Sequence, residues 1–154
     1  MALLAAKGFG ADDFARSHPG GALGRRLLTH VRDVMRSGDE IPWVSEATGF
    51  SEALLEMSKK RMGMTAVLDA AGRVSGVFTD GDLRRTLAQV DDIRAARIVD
   101  IMTRGPRTIG PDKLAVEAVQ IMEESKINQL LVVNSDGKLV GALNMHDLFQ
   151  AKVI

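Results

Sequence analysis

The chain has 154 residues, of which 45% are hydrophobic, and its 20 Lys and Arg balance its 20 Asp and Glu. This length and composition predict a soluble globular protein of one domain or two small units, and the zero net charge argues against a nucleic-acid partner or a polybasic membrane surface. The absence of cysteine excludes disulfides and thiolate metal sites, and no apolar run reaches the roughly 20 residues that a membrane-spanning helix needs.

The first 30 residues are predicted to form short helices and lie before the internal duplication described below. The apolar residues 3–6 are followed by Gly8 and Gly10, which suit a helix end, and Pro19 suits a first helical turn. A helix this apolar needs a partner to bury against, so we expect the segment to be the end of a preceding domain. The first residues carry no signal-peptide pattern, which favours a cytoplasmic location.

An internal duplication begins at residue 31. The sequence VRDVM at residues 31–35 recurs as IVDIM at residues 98–102, which is 67 positions later. Gly76 and Asp82 each recur 65 positions later, so the first copy carries two extra residues in an early loop. The predicted divisions are a lead-in at residues 1–30, a first copy at residues 31–90 and a second copy at residues 91–154.

Each copy predicts the order β-α-β-β-α. Helical spacing of apolar residues predicts the first helix, with Thr48 and Asp112 as its N-caps in the two copies, and the last helices begin at Asp80 and Met145. The strands are expected at residues 43–44, 65–68 and 74–78, and again at 107–109, 129–133 and 138–143, with hairpin-type turns before the third strand of each copy. One copy is too small to bury a core alone, so we expect an α+β fold of α/β-type repeats packed with pseudo-twofold symmetry.

A candidate anion site lies at the start of the last helix in each copy. Copy one has Thr79 and Asp82 at this place, and copy two has Asn144 and Asp147. In both copies a strand runs directly into a helix N-terminus, where unpaired backbone N–H groups and the helix dipole favour a phosphate group. The two helix starts are therefore the predicted ligand-binding positions.

The side chains at the first helix start allow two interpretations. Thr79 could donate its hydroxyl to a phosphate, Asp82 could accept from both hydroxyls of a ribose, and Arg84 and Arg85 could supply positive charge. However, Thr-x-x-Asp is also the capping-box pattern, in which both side chains bind backbone groups of their own helix. The local sequence leaves both roles open.

The Gly-x-x-Thr-x-x-Asp motif that ends in Asp82, together with the duplication, resembles a tandem of cystathionine-β-synthase (CBS) domains, or Bateman module, over residues 31–154. The resemblance implies that Asp82 binds ribose hydroxyls and that Thr79 lies near phosphate. In copy two, Asn144 replaces the expected Thr or Ser, whereas Asp147 is kept. We therefore expect the second cleft to be empty or to select a different ligand.

The sequence FARSHPGGALGRRLL at residues 14–28 and the run FTDGDLRR at residues 78–85 are similar to bacterial arabinose-5-phosphate isomerases, in which a sugar-isomerase (SIS) domain precedes two CBS domains. The resemblance implies a parent enzyme that interconverts ribulose 5-phosphate and arabinose 5-phosphate for the lipopolysaccharide sugar Kdo. This isomerisation moves a proton between adjacent carbons and needs acid–base groups but no redox cofactor, so we expect no cofactor.

His18 matches the active-site histidine of that family in its Ser-His-Pro-Gly-Gly phrase. Imidazole suits proton transfer near neutral pH, so the resemblance implies a catalytic role in the intact parent. The phosphate-binding loop and the other acid–base groups would precede residue 1, so we expect this chain alone to be inactive. His30 and His146 have no metal-ligand spacing to each other or to His18, and we expect no metal site.

The resemblance implies a regulatory module whose effector binds between the copies at Thr79, Asp82 and Asp147. A sugar nucleotide such as CMP-Kdo would give feedback control, and an adenine nucleotide is the alternative. Binding would change the packing of a homo-oligomer and bias the attached SIS domain of a bacterial cytoplasmic enzyme. Two other hypotheses stay open: a purely structural oligomerisation module without a ligand, and a fragment that completes an active site through His18.

Overall fold

Residues 27–154 are described by the computed structural model, and they form two copies of one strand–helix–strand–strand–helix unit. The first copy holds α1 (Val31–Val34), β1 (Trp43–Ser45), α2 (Phe50–Lys60), β2 (Met64–Leu68), β3 (Val74–Thr79) and α3 (Asp80–Gln89). The second copy holds α4 (Ile98–Ile101), β4 (Thr103–Arg104), β5 (Thr108–Ile109), α5 (Ala115–Ser125), β6 (Gln129–Val133), β7 (Leu139–Asn144) and α6 (Met145–Gln150). The predicted α+β fold of two repeats is confirmed. His18 and the predicted lead-in helices lie outside the described residues.

Two mixed sheets carry the copies. In the first sheet the strand order is β1-β2-β3-β4, with β1 parallel to β2 and the other pairs antiparallel; in the second it is β5-β6-β7, with β5 parallel to β6. The hairpins turn at Gly72 and Gly137, whose φ angles of 81° and 78° lie in the left-handed region that glycine adopts most easily. The same register, Val67 opposite Gly76 and Val132 opposite Gly141, is found in both copies.

The long helices α2 and α5 form where the apolar spacing predicts them, but both predicted N-caps are wrong. In copy one the cap is Gly49, because the hydroxyl of Thr48 is bonded at 3.2 Å to a neighbouring serine. In copy two the cap is Leu114, because the carboxylate of Asp112 accepts a hydrogen bond from Arg32 at 2.6 Å. In each case a tertiary contact or turn partner competes with the local capping role.

The short lead helices α1 and α4 are exchanged between the copies. Val31 of α1 is fully buried in the core of copy two, where it packs with residues such as Ala118 and Leu143. Ile98 of α4 is fully buried in the core of copy one, where it packs with residues such as Phe78. Each core is therefore completed by a helix that the sequence of the other copy supplies.

The residue after each exchanged helix extends the sheet of the other copy. The backbone N–H of Arg36 donates to the carbonyl of Ala142 at 2.8 Å, and Ala142 donates back at 3.1 Å. In the same way, Thr103 in β4 pairs with Val77 in β3. The close approach of these segments explains a shared glycine in β3 and β7: a Cβ atom on Gly141 would collide with the sulfur of Met35 and lie 3.0 Å from the Arg36 carbonyl oxygen.

A third apolar cluster lies between the two sheets and joins the copies. Its buried members are Ile41, Met62, Met64, Ala66, Leu131 and Ala142. Near it the two hairpin turns meet, and Arg73 pairs with Lys138, which is its own equivalent 65 positions later. Pairing between equivalent residues is what a twofold axis produces, and it supports the predicted pseudo-twofold arrangement.

We expect Gly141→Ala to lower the free energy of unfolding by about 1–3 kcal/mol, because the added methyl group must displace Met35 or the exchanged backbone. Gly110→Ala is the matched control, since nothing lies within 4 Å of a Cβ atom there, and its effect should stay below about 1 kcal/mol. Urea unfolding followed by circular dichroism measures both. Equal effects at the two glycines would contradict the close approach.

Candidate functional site

A cleft of about 350 Å³ opens between the two copies at the start of α3, and we refer to it as cleft A. Its lining residues are Met64, Val77, Thr79, Asp82, Arg85, Thr103, Gly105, Pro106, Arg107, Ser125, Ile127, Gln129 and Leu131. The sequence-predicted residues Thr79, Asp82 and Arg85 are brought together here by the junction of β3 and α3. The opposite wall comes from β6 and the end of α5, so a bound molecule would contact both copies.

Asp82 lines this cleft with a carboxylate that is fully hydrogen-bonded, and the residue is only 5% exposed. Its Oδ2 accepts from the backbone N–H and the hydroxyl of Thr79, at 3.0 and 3.1 Å. Its Oδ1 accepts from the hydroxyl of Thr103 at 2.9 Å and from the guanidinium of Arg85. These four donors use the four acceptor positions that a carboxylate offers.

The capping box that the sequence allowed is therefore formed. The hydroxyl of Thr79 accepts from the backbone N–H of Asp82 at 3.2 Å, while Asp82 accepts from Thr79 in return. A ribose hydroxyl can reach the Asp82 carboxylate only if one of its present donors leaves. Arg85 is the donor most free to do so, because its side chain is 65% exposed.

The two neighbouring arginines of α3 lie in different places. Arg85 lines cleft A, whereas Arg84 is exposed and is not among the lining residues. A second cation in the cleft, Arg107, was not predicted as a site residue; it comes from the other copy and donates to the Ser125 hydroxyl at 3.1 Å. Arg107 stands just before β5 and belongs to no motif, and its equivalent in copy one is Pro42, so no sequence signal marks it.

The equivalent place in copy two, which we refer to as cleft B, is formed by Asn144 and Asp147 together with Arg36. The side chain of Asn144 accepts from the backbone N–H of Asp147 at 2.8 Å, so α6 has the same capping box as α3. The carboxylate of Asp147 also accepts two hydrogen bonds from Arg36, at 3.0 and 3.1 Å. Asn144 and Asp147 therefore both make hydrogen bonds within the protein, and the guanidinium of Arg36 lies directly beside Asp147.

Neither a metal cluster nor a spanning helix is seen in the part of the chain that the structure describes. Within residues 27–154 no group of three or more His, Cys, Asp or Glu side chains is placed to hold a metal ion. The helices of the same range are all too short or too polar to cross a membrane.

Comparison with known proteins places this geometry in a family. A family model of the CBS domain matches residues 31–89 and, a second time, residues 98–153. The chain belongs to the CBS domain family. The tandem CBS pair that the sequence resemblance predicted is confirmed by these two matches, and cleft A lies between its two domains.

Two relatives share the whole length of this CBS pair. Arabinose 5-phosphate isomerase KdsD of Pseudomonas aeruginosa is 53% identical to it, and KdsD of Escherichia coli is 48% identical, in both cases over 154 residues. The chain spans 47% of the length of each of these relatives. Among solved structures, that of CBSX2 in complex with AMP is similar with a TM-score of 0.69 and 25% identity, covering 81% of this chain and 96% of CBSX2.

We expect Asp82→Ala to lower the free energy of unfolding by about 1–3 kcal/mol, because it removes the capping box and leaves Thr103 without its acceptor. Asp80→Ala is the matched control: it removes an acidic group from the same helical turn outside the capping box and should cost under about 1 kcal/mol. Thermal unfolding compares the variants. A cost for Asp82→Ala no larger than that of the control would contradict the structural role.

Proposed function

We propose that this CBS pair is the ligand-sensing regulatory module of an arabinose-5-phosphate isomerase and that its effector binds in cleft A. The observation that carries the proposal is a cleft of about 350 Å³ whose walls come from both copies. This volume lies within the range of roughly 300–1,000 Å³ that small-molecule sites occupy. A molecule that contacts both copies can favour one arrangement of the pair over another, which is the requirement for regulation.

The lining of cleft A suits a nucleotide or a sugar nucleotide. Pro106 and Ile127, which are only partly buried, offer an apolar surface for a base, and Arg85 and Arg107 supply positive charge from opposite copies for an anionic group. The hydroxyl groups of Thr103 and Ser125, which also line the cleft, can bind a sugar. Asp82 would accept from a ribose hydroxyl after Arg85 has turned away to meet the anionic group.

Two effectors fit this chemistry. An adenine nucleotide is supported by the AMP complex of CBSX2, which has a similar fold. CMP-Kdo is supported by the 53% identity to an arabinose 5-phosphate isomerase, because an enzyme that supplies Kdo synthesis is a natural target of feedback by the activated sugar. In both cases Thr79 would face the phosphate at the start of α3.

The catalytic function belongs to the parent protein. The relatives are about twice as long as this chain, and we propose that the remainder is an SIS domain to which His18 contributes as an acid–base group. Binding in cleft A would change the packing of CBS pairs in a cytoplasmic homo-oligomer and thereby shift the attached SIS domains between states of unequal activity.

A purely structural role is the second candidate, and it has its own support. The capping boxes at Thr79 and Asn144 stabilise their helices without any ligand. In addition, Leu55, Leu87 and Phe149 expose large apolar side chains on three helices, as an oligomerisation surface would. A ligand titration distinguishes the two candidates.

We expect AMP or CMP-Kdo, at about 100 times its dissociation constant, to stabilise the chain by about 2.7 kcal/mol and to raise Tm by about 5–10 °C. Arg107→Gln should weaken binding about tenfold or more, because it removes a charge-assisted hydrogen bond from the cleft. Arg84→Gln is the control, since it removes an equal charge outside the lining. If neither ligand shifts Tm, the sensing function is refuted and the structural candidate stands.

We expect this chain alone not to interconvert ribulose 5-phosphate and arabinose 5-phosphate, because His18 without the rest of the proposed SIS domain cannot orient the proton transfer. In the parent enzyme, the ligand that stabilises the CBS pair should change the isomerase rate, and Arg107→Gln should reduce that effect while leaving the rate without ligand unaltered. A coupled assay of both proteins measures these rates. Turnover by the isolated chain would contradict a purely regulatory role.

A further inference from the structure

Cleft B has Asn144 and Gln150 where cleft A has Thr79 and Arg85, and it also differs in the second residue after the exchanged helix. Aligned by the duplication, Arg36 after α1 corresponds to Thr103 after α4. The Thr103 hydroxyl gives a single hydrogen bond to Asp82 and leaves space beside it. Arg36 instead extends a guanidinium over Asp147, with Nε donating to Oδ2 at 3.1 Å and Nη2 donating to Oδ1 at 3.0 Å. Such a two-point contact is the strongest geometry for an arginine and a carboxylate.

The guanidinium of Arg36 is also held from the other side. Its Nη1 donates to the backbone carbonyl of Lys60 in copy one at 3.0 Å, and its backbone is paired with Ala142 in copy two. The side chain is 23% exposed and that of Asp147 is 15% exposed. Arg36 thus contacts both copies, as a bound ligand in cleft A would.

The cations of the two clefts differ in how easily they can leave. In cleft A, Arg85 is 65% exposed, so its departure to solvent leaves an Asp82 that three other donors still satisfy. In cleft B, loss of Arg36 removes two hydrogen bonds at once and leaves the mostly buried Asp147 carboxylate with a single donor among the described residues, the backbone N–H of Asn144 at 3.3 Å. A ligand can therefore displace the first cation more readily than the second.

The apolar residues around the two clefts also favour a ligand in cleft A over one in cleft B. Ile41 and Met62 are 7% and 2% exposed in the cluster between the sheets, where they occupy the positions that correspond to Pro106 and Ile127. Pro106 and Ile127 are only partly buried and line the open space of cleft A. The apolar surface that Pro106 and Ile127 expose in cleft A therefore has a buried equivalent, formed by Ile41 and Met62, on the side of cleft B.

We propose that Arg36 is an internal substitute for a ligand in cleft B, so that each chain takes up one effector molecule, in cleft A alone. This inference rests on the proposed function for its stoichiometry, but the role of Arg36 in holding cleft B closed does not depend on any ligand. The experiments below separate these two parts.

Calorimetric titration of the chain with AMP, and separately with CMP-Kdo, tests the stoichiometry. One mole of ligand per mole of chain is the expected result for whichever of them binds. Two equivalents would overturn the role of Arg36 and support the sensing function. Binding of neither would overturn the sensing function, and the unfolding experiment below would still decide the role of Arg36.

Transfer of the arginine to cleft A tests the mechanism of closure. In Thr103→Arg, the new side chain should pair with Asp82 and occupy the cleft, so that affinity for the bound ligand falls about tenfold or more while Tm is kept. Thr103→Val is the control, because it removes the same hydroxyl without adding a cation, so its loss of affinity measures the hydroxyl alone and should be smaller than that of Thr103→Arg. A folded Thr103→Arg chain that binds as well as Thr103→Val would overturn the proposal.

A double-mutant cycle tests the contact without a ligand. Arg36→Thr and Asp147→Asn should each lower Tm by several degrees, and the double variant should lower it no further than the worse single variant. The control cycle, Arg32→Thr with Asp112→Asn, probes a pair whose side chains are 49% and 89% exposed and should give small, additive shifts. Additive losses at Arg36 and Asp147 would overturn the role of Arg36.

Discussion

The exchange of the lead helices is the constraint on which the rest of the structure depends. Val31 completes the core of copy two, and Ile98 completes the core of copy one, so neither core is closed by its own sequence repeat. The exchanged segments pass so close to the sheets that β3 and β7 each require a glycine, at Gly76 and Gly141. The same segments then deliver Thr103 and Arg36 to the two helix starts. The segments that complete the two cores therefore also position the side chains of the two clefts.

The duplication builds two equivalent places, and single side chains make them different. Both helix starts have the same capping box and the same carboxylate, which are needed to end a strand and begin a helix. The two places differ in the arginine that pairs with the carboxylate and in the residue that the exchanged segment delivers. Asp82 is paired with the exposed Arg85 and bonded by Thr103, whereas Asp147 is held at two points by the less exposed Arg36. A pseudo-symmetric backbone can thus have a single ligand-binding cleft, because equivalent side chains in the two copies differ in volume and charge.

The sequence predicts most of the fold and half of the site. Helix starts at Asp80 and Met145 follow from a motif that is local, and the strands follow from short apolar runs between turn residues. The exchange could not be predicted, because a repeat pattern says which residues are equivalent and not which copy they pack against. Arg36 and Arg107 were missed because isolated arginines near strand ends carry no motif; only alignment of the two copies shows that Arg36 stands where the other copy has Thr103.

The exchange also has a consequence for the order in which the molecule is made. As the nascent chain leaves the ribosome, Phe50 and Phe78 emerge before Ile98, so the first half has to wait, with an incomplete apolar interior, until about a dozen more residues of the second half have followed. Helix α1 waits longer still, because residues that it packs with, such as Leu143 and Leu148, are synthesised after all of the first copy and most of the second. Neither core is complete until both copies are present, and cleavage between the halves would leave two pieces that each lack a necessary part.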